Sequence, residues 1–215
     1  MNVVATEKLS RAKLAAIGGL LLLSSSPVLA HHAMGGATPE TFAQGLLSGL
    51  AHPVIGLDHL AFLVVAMLLT CVLRGAARFL VPLAFIGATL GGTALHVGAA
   101  NIPLSETLVA LSVLVGGVLA LSRRFPGAFA LGTIFAASGI LHGYAYGESI
   151  VGAEATPLLA YLAGFAAIQY VLIMGGVFGL DKLAGRSEKA RALASNLGGA
   201  AAVLTGGVFL ALSFA

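Results

Sequence analysis

From about residue 53 to residue 213 the chain is a succession of apolar stretches, each near twenty residues long and separated by short connections that carry most of the charge. That pattern leaves few options. A helix of ~20 apolar residues covers the ~30 Å hydrocarbon core of a bilayer, and irregular chain is excluded from that core because its backbone groups would lack partners. Composition agrees: 59% of residues are hydrophobic, 9% are charged and the mean hydropathy is +1.02, so a water-soluble globule would lack polar residues to cover its surface. The reading is an all-α polytopic membrane protein, a six-transmembrane-helix bundle after a cleaved signal peptide. The first span begins at 53–57 and ends near 73, and the others are expected at 79–99, 104–122, 127–144, 157–180 and 192–213. A shorter apolar piece, 42–51, should stop at His52-Pro53, where proline removes a helical hydrogen bond. Glycine doublets such as Gly91-Gly92, Gly116-Gly117, Gly175-Gly176 and Gly206-Gly207 read as surfaces for close helix approach.

The first thirty residues stand apart. Lys8, Arg11 and Lys13 precede an apolar stretch at 14–23 and a small-residue site at Val28-Leu29-Ala30, the three parts of a secretory signal peptide. The domains expected are therefore a signal peptide at 1–30 and a six-helix transmembrane domain at 31–215, the alternative being an uncleaved signal anchor. In the mature chain every Lys and Arg falls after an odd-numbered span: Arg74 and Arg78, then Arg123 and Arg124, then Lys182, Arg186, Lys189 and Arg191. The positive-inside rule assigns those connections to the cytoplasm. The expected location is thus a bacterial inner membrane, with the mature N-terminus and the C-terminus both periplasmic. The net charge of +3 is spread over these clusters, which reads as topology and gives no surface for nucleic acid. A single cysteine, Cys71, excludes a disulfide framework and any CxxC site.

On this topology the six histidines gather on one side. His31 and His32 open the mature chain, His52 and His59 flank the start of the first span, and His96 and His142 close the second and fourth. Glu40, Asp58, Glu106, Glu148 and Glu154 map to the same level, leaving Asp181 and Glu188 for the cytoplasmic loop. Ionisable groups at membrane depth are costly and normally face a cavity or one another, so the grouping marks a functional site. Imidazole with carboxylate suits nickel, cobalt or zinc, and the lack of thiolates argues against copper(I) or iron–sulfur. For His59 or His96 taken singly, a structural hydrogen bond is an equal reading. Within His52-Pro53-Val54-Ile55-Gly56-Leu57-Asp58-His59, Pro53 and Gly56 suggest a break that turns His52 back toward Asp58 and His59, or else a helix N-terminus capped by His52. A processed N-terminus would also offer the His31 amine and imidazole, with His32 and Met34, as a chelator.

The run His52-Pro53-x-x-Gly56-x-Asp58-His59 resembles the signature of the HupE/UreJ family of hydrogenase and urease accessory proteins, regarded as nickel permeases. Pro103-x-x-Glu106, Ala110-x-Ser112, His142-Gly143-Tyr144-Ala145-x-Gly147-Glu148 and Gly164-Phe165 fit the same family. The resemblance implies metal-binding roles for His52, Asp58, His59, Glu106, His142 and Glu148, and nickel as the ion. Many relatives have a second histidine where this chain has Tyr146, and often another near Ile173. The chain therefore departs from the family at two imidazoles.

No Walker-type loop, HExxH or serine-based motif is present, so neither hydrolysis-driven transport nor an enzyme is expected. The expected function is facilitated or channel-like uptake of a divalent transition metal, with no tightly bound cofactor. The partners are the ion and the bilayer, and a homo-oligomer or a larger membrane complex stays open. The alternative is a metal sensor or assembly subunit that transports nothing. It is favoured if no polar path continues inward, and only Thr70, Cys71 and Gln169 are candidates for one.

Overall fold

The structure is a computed structural model that describes residues 37–185 and 187–214. The leader expected at 1–30, with His31 and His32, lies outside the described residues. Seven α-helices run in order among those described: α1 (Phe42–Ile55), α2 (Leu57–Thr70), α3 (Ala77–Val97), α4 (Ser105–Ser122), α5 (Ala128–Gly147), α6 (Ala155–Ala184) and α7 (Glu188–Leu212). A 3-10 turn, Glu148–Ile150, follows α5. The five helices α3 to α7 are each long and apolar enough to cross a membrane. Helices α1 and α2 meet at an angle of 75° and make a sixth crossing if they act as one broken span.

The apolar piece before Pro53 does not stop there. Thr41 starts α1 with a capping box, its hydroxyl accepting from the Gln44 N–H while the Gln44 side-chain oxygen accepts from the Thr41 N–H. The helix then passes through Pro53 and ends at Gly56. Proline near a helix end removes a single hydrogen bond, and tight packing on α6 holds the backbone straight. A Cβ on Gly45 would lie 2.2 Å from the Pro157 carbonyl oxygen, and one on Gly49 2.2 Å from that of Tyr161. Only glycine permits this approach.

The same device builds two more pairs. Gly139, Gly143 and Gly147 on α5 seat against Phe85, Thr89 and His96 of α3, so these two helices run parallel. Gly117 and Gly206 join α4 to α7 in antiparallel fashion. Of the doublets read from the sequence, Gly92, Gly116, Gly117, Gly176 and Gly206 make close contacts, whereas Gly91, Gly175 and Gly207 face open space. These three pairs surround α2, whose Phe62, Leu63, Val65, Ala66, Leu68 and Leu69 form the middle of the core.

The ends of the bundle differ in chemistry. At one end Arg78 of α3 and Arg191 of α7 both pair with Asp181, which lies in the last turn of α6 because that helix outlasts the expected limit at 180. Arg123, after α4, donates to Asn196 of α7 at 3.0 Å. The basic connections are thus neighbours in space. The far ends of α3 and α5 and the start of α4 carry His96, Glu148 and Glu106 at the opposite end. Ser213, just past α7, accepts from Thr107 there at 3.0 Å.

Candidate metal centre

The break between α1 and α2 carries the histidines inward. His52 sits in the last turn of α1, Asp58 and His59 in the first turn of α2, and all three are buried. The bend brings the His52 and His59 rings to 5.6 Å, centroid to centroid. Gly56 at the joint is extended, so the turn comes from ending one helix and starting another. The Asp58 carboxylate accepts the His59 backbone N–H at 2.8 Å. A carboxylate there offsets the partial positive charge of a helix N-terminus.

A pocket of about 40 Å³ opens beside this break, lined by Asp58, His59, His96, Glu106, Tyr144 and Glu148 among others. Two of those carboxylates, Glu106 and Glu148, are exposed, while Asp58 and His59 are buried at its floor. His96 is half-buried, and its Nδ1 lies 2.8 Å from the Tyr144 carbonyl oxygen, which a ring N–H must donate to. The structural and pocket-lining readings of His96 therefore hold together.

His142 lies one layer deeper and is fully buried. Its Nδ1 is 2.8 Å from His59 Nδ1, and its Nε2 is 3.0 Å from the Ser112 hydroxyl. Beneath it Phe62 stacks on Phe85 with centroids 4.9 Å apart, and the His142 ring rests 4.6 Å from Phe62. His52 is held separately: its Nδ1 is 2.9 Å from the Ser149 hydroxyl and 3.0 Å from that of Tyr161. Tyr161 in turn donates to the Tyr146 carbonyl at 2.8 Å. The Tyr146 ring lies edge-on to both His52 and His59, at 5.0 and 4.5 Å.

The site residues named from the sequence thus fall into three groups. Asp58, His59, His96, Glu106 and Glu148 share the pocket, His52 and His142 stand behind it, and His31 and His32 are outside the described residues. Among the described residues no three His, Cys, Asp or Glu side chains stand close enough to hold a metal together. Ser149 and Tyr161 were not singled out in the sequence, and Ser112 figured there only as part of a motif. Each is a small or aromatic hydroxyl of a kind common in membrane helices, so nothing in the sequence set it apart.

The geometry can be set beside known proteins. Residues 19–209 match the family model described as HupE / UreJ protein. The chain belongs to the HupE / UreJ family. A relative, Protein HupE of Rhizobium leguminosarum bv. viciae, is 33% identical over 186 residues, covering 86% of this chain and 91% of that protein. No solved structure matches. The match covers the whole bundle, as the motifs at 52–59, 103–112, 142–148 and 164–165 implied, so the pocket belongs to a family of membrane accessory proteins.

Proposed function

We propose that this protein takes up a divalent transition metal across the bacterial inner membrane, and that the ion enters through the pocket at the break between α1 and α2. The observation that carries the reading is the joint presence of two buried groups, Asp58 and His59, with His96, Glu106 and Glu148 around one opening at the end away from the basic loops. Imidazole nitrogens with carboxylate oxygens suit nickel, cobalt and zinc, and family membership favours nickel. The exposed carboxylates of Glu106 and Glu148 meet the hydrated ion first, and His59 with Asp58 replaces part of its water. Side chains that must converge to bind make the site loose, as conduction requires of a site that both loads and releases. By the positive-inside rule the basic end faces the cytoplasm and the pocket the periplasm. A membrane potential then adds ~2.3 kcal/mol per charge per 100 mV to inward movement.

His142 takes a supporting place in this scheme, since both its ring nitrogens are engaged by protein groups. A second reading has its own observation. Phe62, Phe85 and Phe135 close the bundle beneath His142, so a polar path inward from His142 requires these rings to move. A metal sensor or assembly subunit needs no such path. Uptake of labelled nickel, cobalt and zinc into proteoliposomes decides between them, with His52→Ala and Asp58→Ala as comparisons. Uptake that neither substitution changes refutes the site. Binding without uptake of any ion selects the sensor or assembly reading.

A further inference from the structure

Histidine can ligate a metal only through a nitrogen that carries no proton, and the other nitrogen's hydrogen bond decides which one that is. Here two hydroxyls make the decision. The Ser112 hydroxyl lies 2.7 Å from the Val109 carbonyl oxygen, which can only accept, so its one hydrogen points there. Toward His142 Nε2, at 3.0 Å, Ser112 must then accept, which puts a proton on His142 Nε2. A neutral His142 keeps Nδ1 as an acceptor, and the partner 2.8 Å away, His59 Nδ1, has to be the donor. The proton of His59 is thereby fixed on Nδ1, and Nε2 is its lone-pair nitrogen.

The same logic applies on the other side of the break. The Tyr161 hydroxyl spends its hydrogen on the Tyr146 carbonyl, so at 3.0 Å it accepts from His52 Nδ1–H. The Ser149 hydroxyl lies 2.9 Å from the same nitrogen. Two chains with no shared residue, ending on two different backbone carbonyls, impose the same tautomer on two histidines that face each other across 5.6 Å.

We infer that Ser112, acting through His142, and Tyr161 are positioning residues that hold His59 and His52 in the Nδ1–H tautomer and present Nε2 of each to a divalent transition metal. The inference rests on the uptake reading for its metal half and on hydrogen-bond geometry for its tautomer half. Removing the Ser112 hydroxyl frees the relay to run backward, with His142 donating through Nδ1 and His59 protonated on Nε2. Supporting partners of this kind change metal affinity by about 10–100-fold.

Ring-nitrogen NMR of the full-length protein in lipid nanodiscs, with histidine labelled in ¹⁵N and no metal added, reads the tautomers directly. The expected result is Nδ1–H for His52 and His59 and Nε2–H for His142. Ser112→Ala should move His59 toward Nε2–H and weaken binding of nickel about 10–100-fold, with Ser112→Thr restoring both. Tyr161→Phe should do the same to His52. His96, whose tautomer is set by a backbone carbonyl, should change in neither variant and reports on intact folding. Finding His52 or His59 as Nε2–H in the native protein overturns the inference, as does a native tautomer pattern in both variants. The expected tautomers in a protein that binds no metal would refute the uptake reading while upholding the relay.

Discussion

The two ends of this bundle use polar residues in opposite ways. At the basic end Arg78, Asp181 and Arg191 pair near the surface, with side chains 15 to 31% exposed. At the pocket end His52, His59 and His142 are almost wholly buried and held by hydrogen bonds to hydroxyls and to one another. Charges left in water gain little from pairing, which suits a device that marks topology. Imidazoles carried inside can be buried without the desolvation cost of an ion when neutral, and in that form each has a lone pair that can serve a ligand. On the proposed reading, the difference separates a part that orients the protein from a part that takes in the ion.

The largest effect should come from breaking that division directly. His59→Ala is expected to lower nickel uptake into proteoliposomes by about a hundredfold or more, whereas Arg191→Ala should leave the rate per correctly oriented molecule unchanged. A comparable loss in both variants would mean that the basic end takes part in transport.

The pocket also depends on close helix packing. At Gly143 a Cβ would sit 2.0 Å from the Thr89 carbonyl oxygen, and the Gly143 carbonyl itself accepts from Thr93 at 2.7 Å. Gly143→Leu must part α3 from α5 beside His142, and overpacking of this kind destabilises by about 3 kcal/mol. The unfolding midpoint in detergent should fall accordingly, and Gly175→Leu, at a position facing open space, is the control that should not move it.

How much of this was legible in the sequence follows from the range of each interaction. The apolar spans are a local property, and α3 to α7 fall within a few residues of where hydropathy puts them. The passage of α1 through Pro53 was not legible, because it depends on Gly45 and Gly49 meeting Pro157 and Tyr161 more than a hundred residues away. The approach of His52 to His59 could be foreseen from one short motif. The hydroxyls that hold those histidines could not, since Tyr161 fell in no motif and Ser112 only in one that gave it no role.

At the basic end, Asp181→Asn tests how little surface pairing contributes. It removes the negative partner of both Arg78 and Arg191 and should lower stability by about 1 kcal/mol or less, with the difference shrinking as salt is raised. Nickel binding should be unchanged. A salt-independent loss of several-fold larger size would show that this network is part of the core.

An effect of similar size gives the sharpest test of where the pocket ends. Tyr146 stands where many relatives are expected to carry a second histidine, and it is fully buried against His52 and His59. Among the described residues its hydroxyl makes no hydrogen bond, unlike Tyr161 beside it. A buried hydroxyl without a partner costs about 1–3 kcal/mol in lost hydration, so Tyr146→Phe should raise stability by about 1 kcal/mol if the group has no other use. Nickel affinity would then stay as it is. A stabilised variant with weaker nickel binding would give the phenol oxygen a place among the metal's donors. The aromatic face on the two imidazoles is preserved in the variant, so any loss of affinity belongs to the hydroxyl alone.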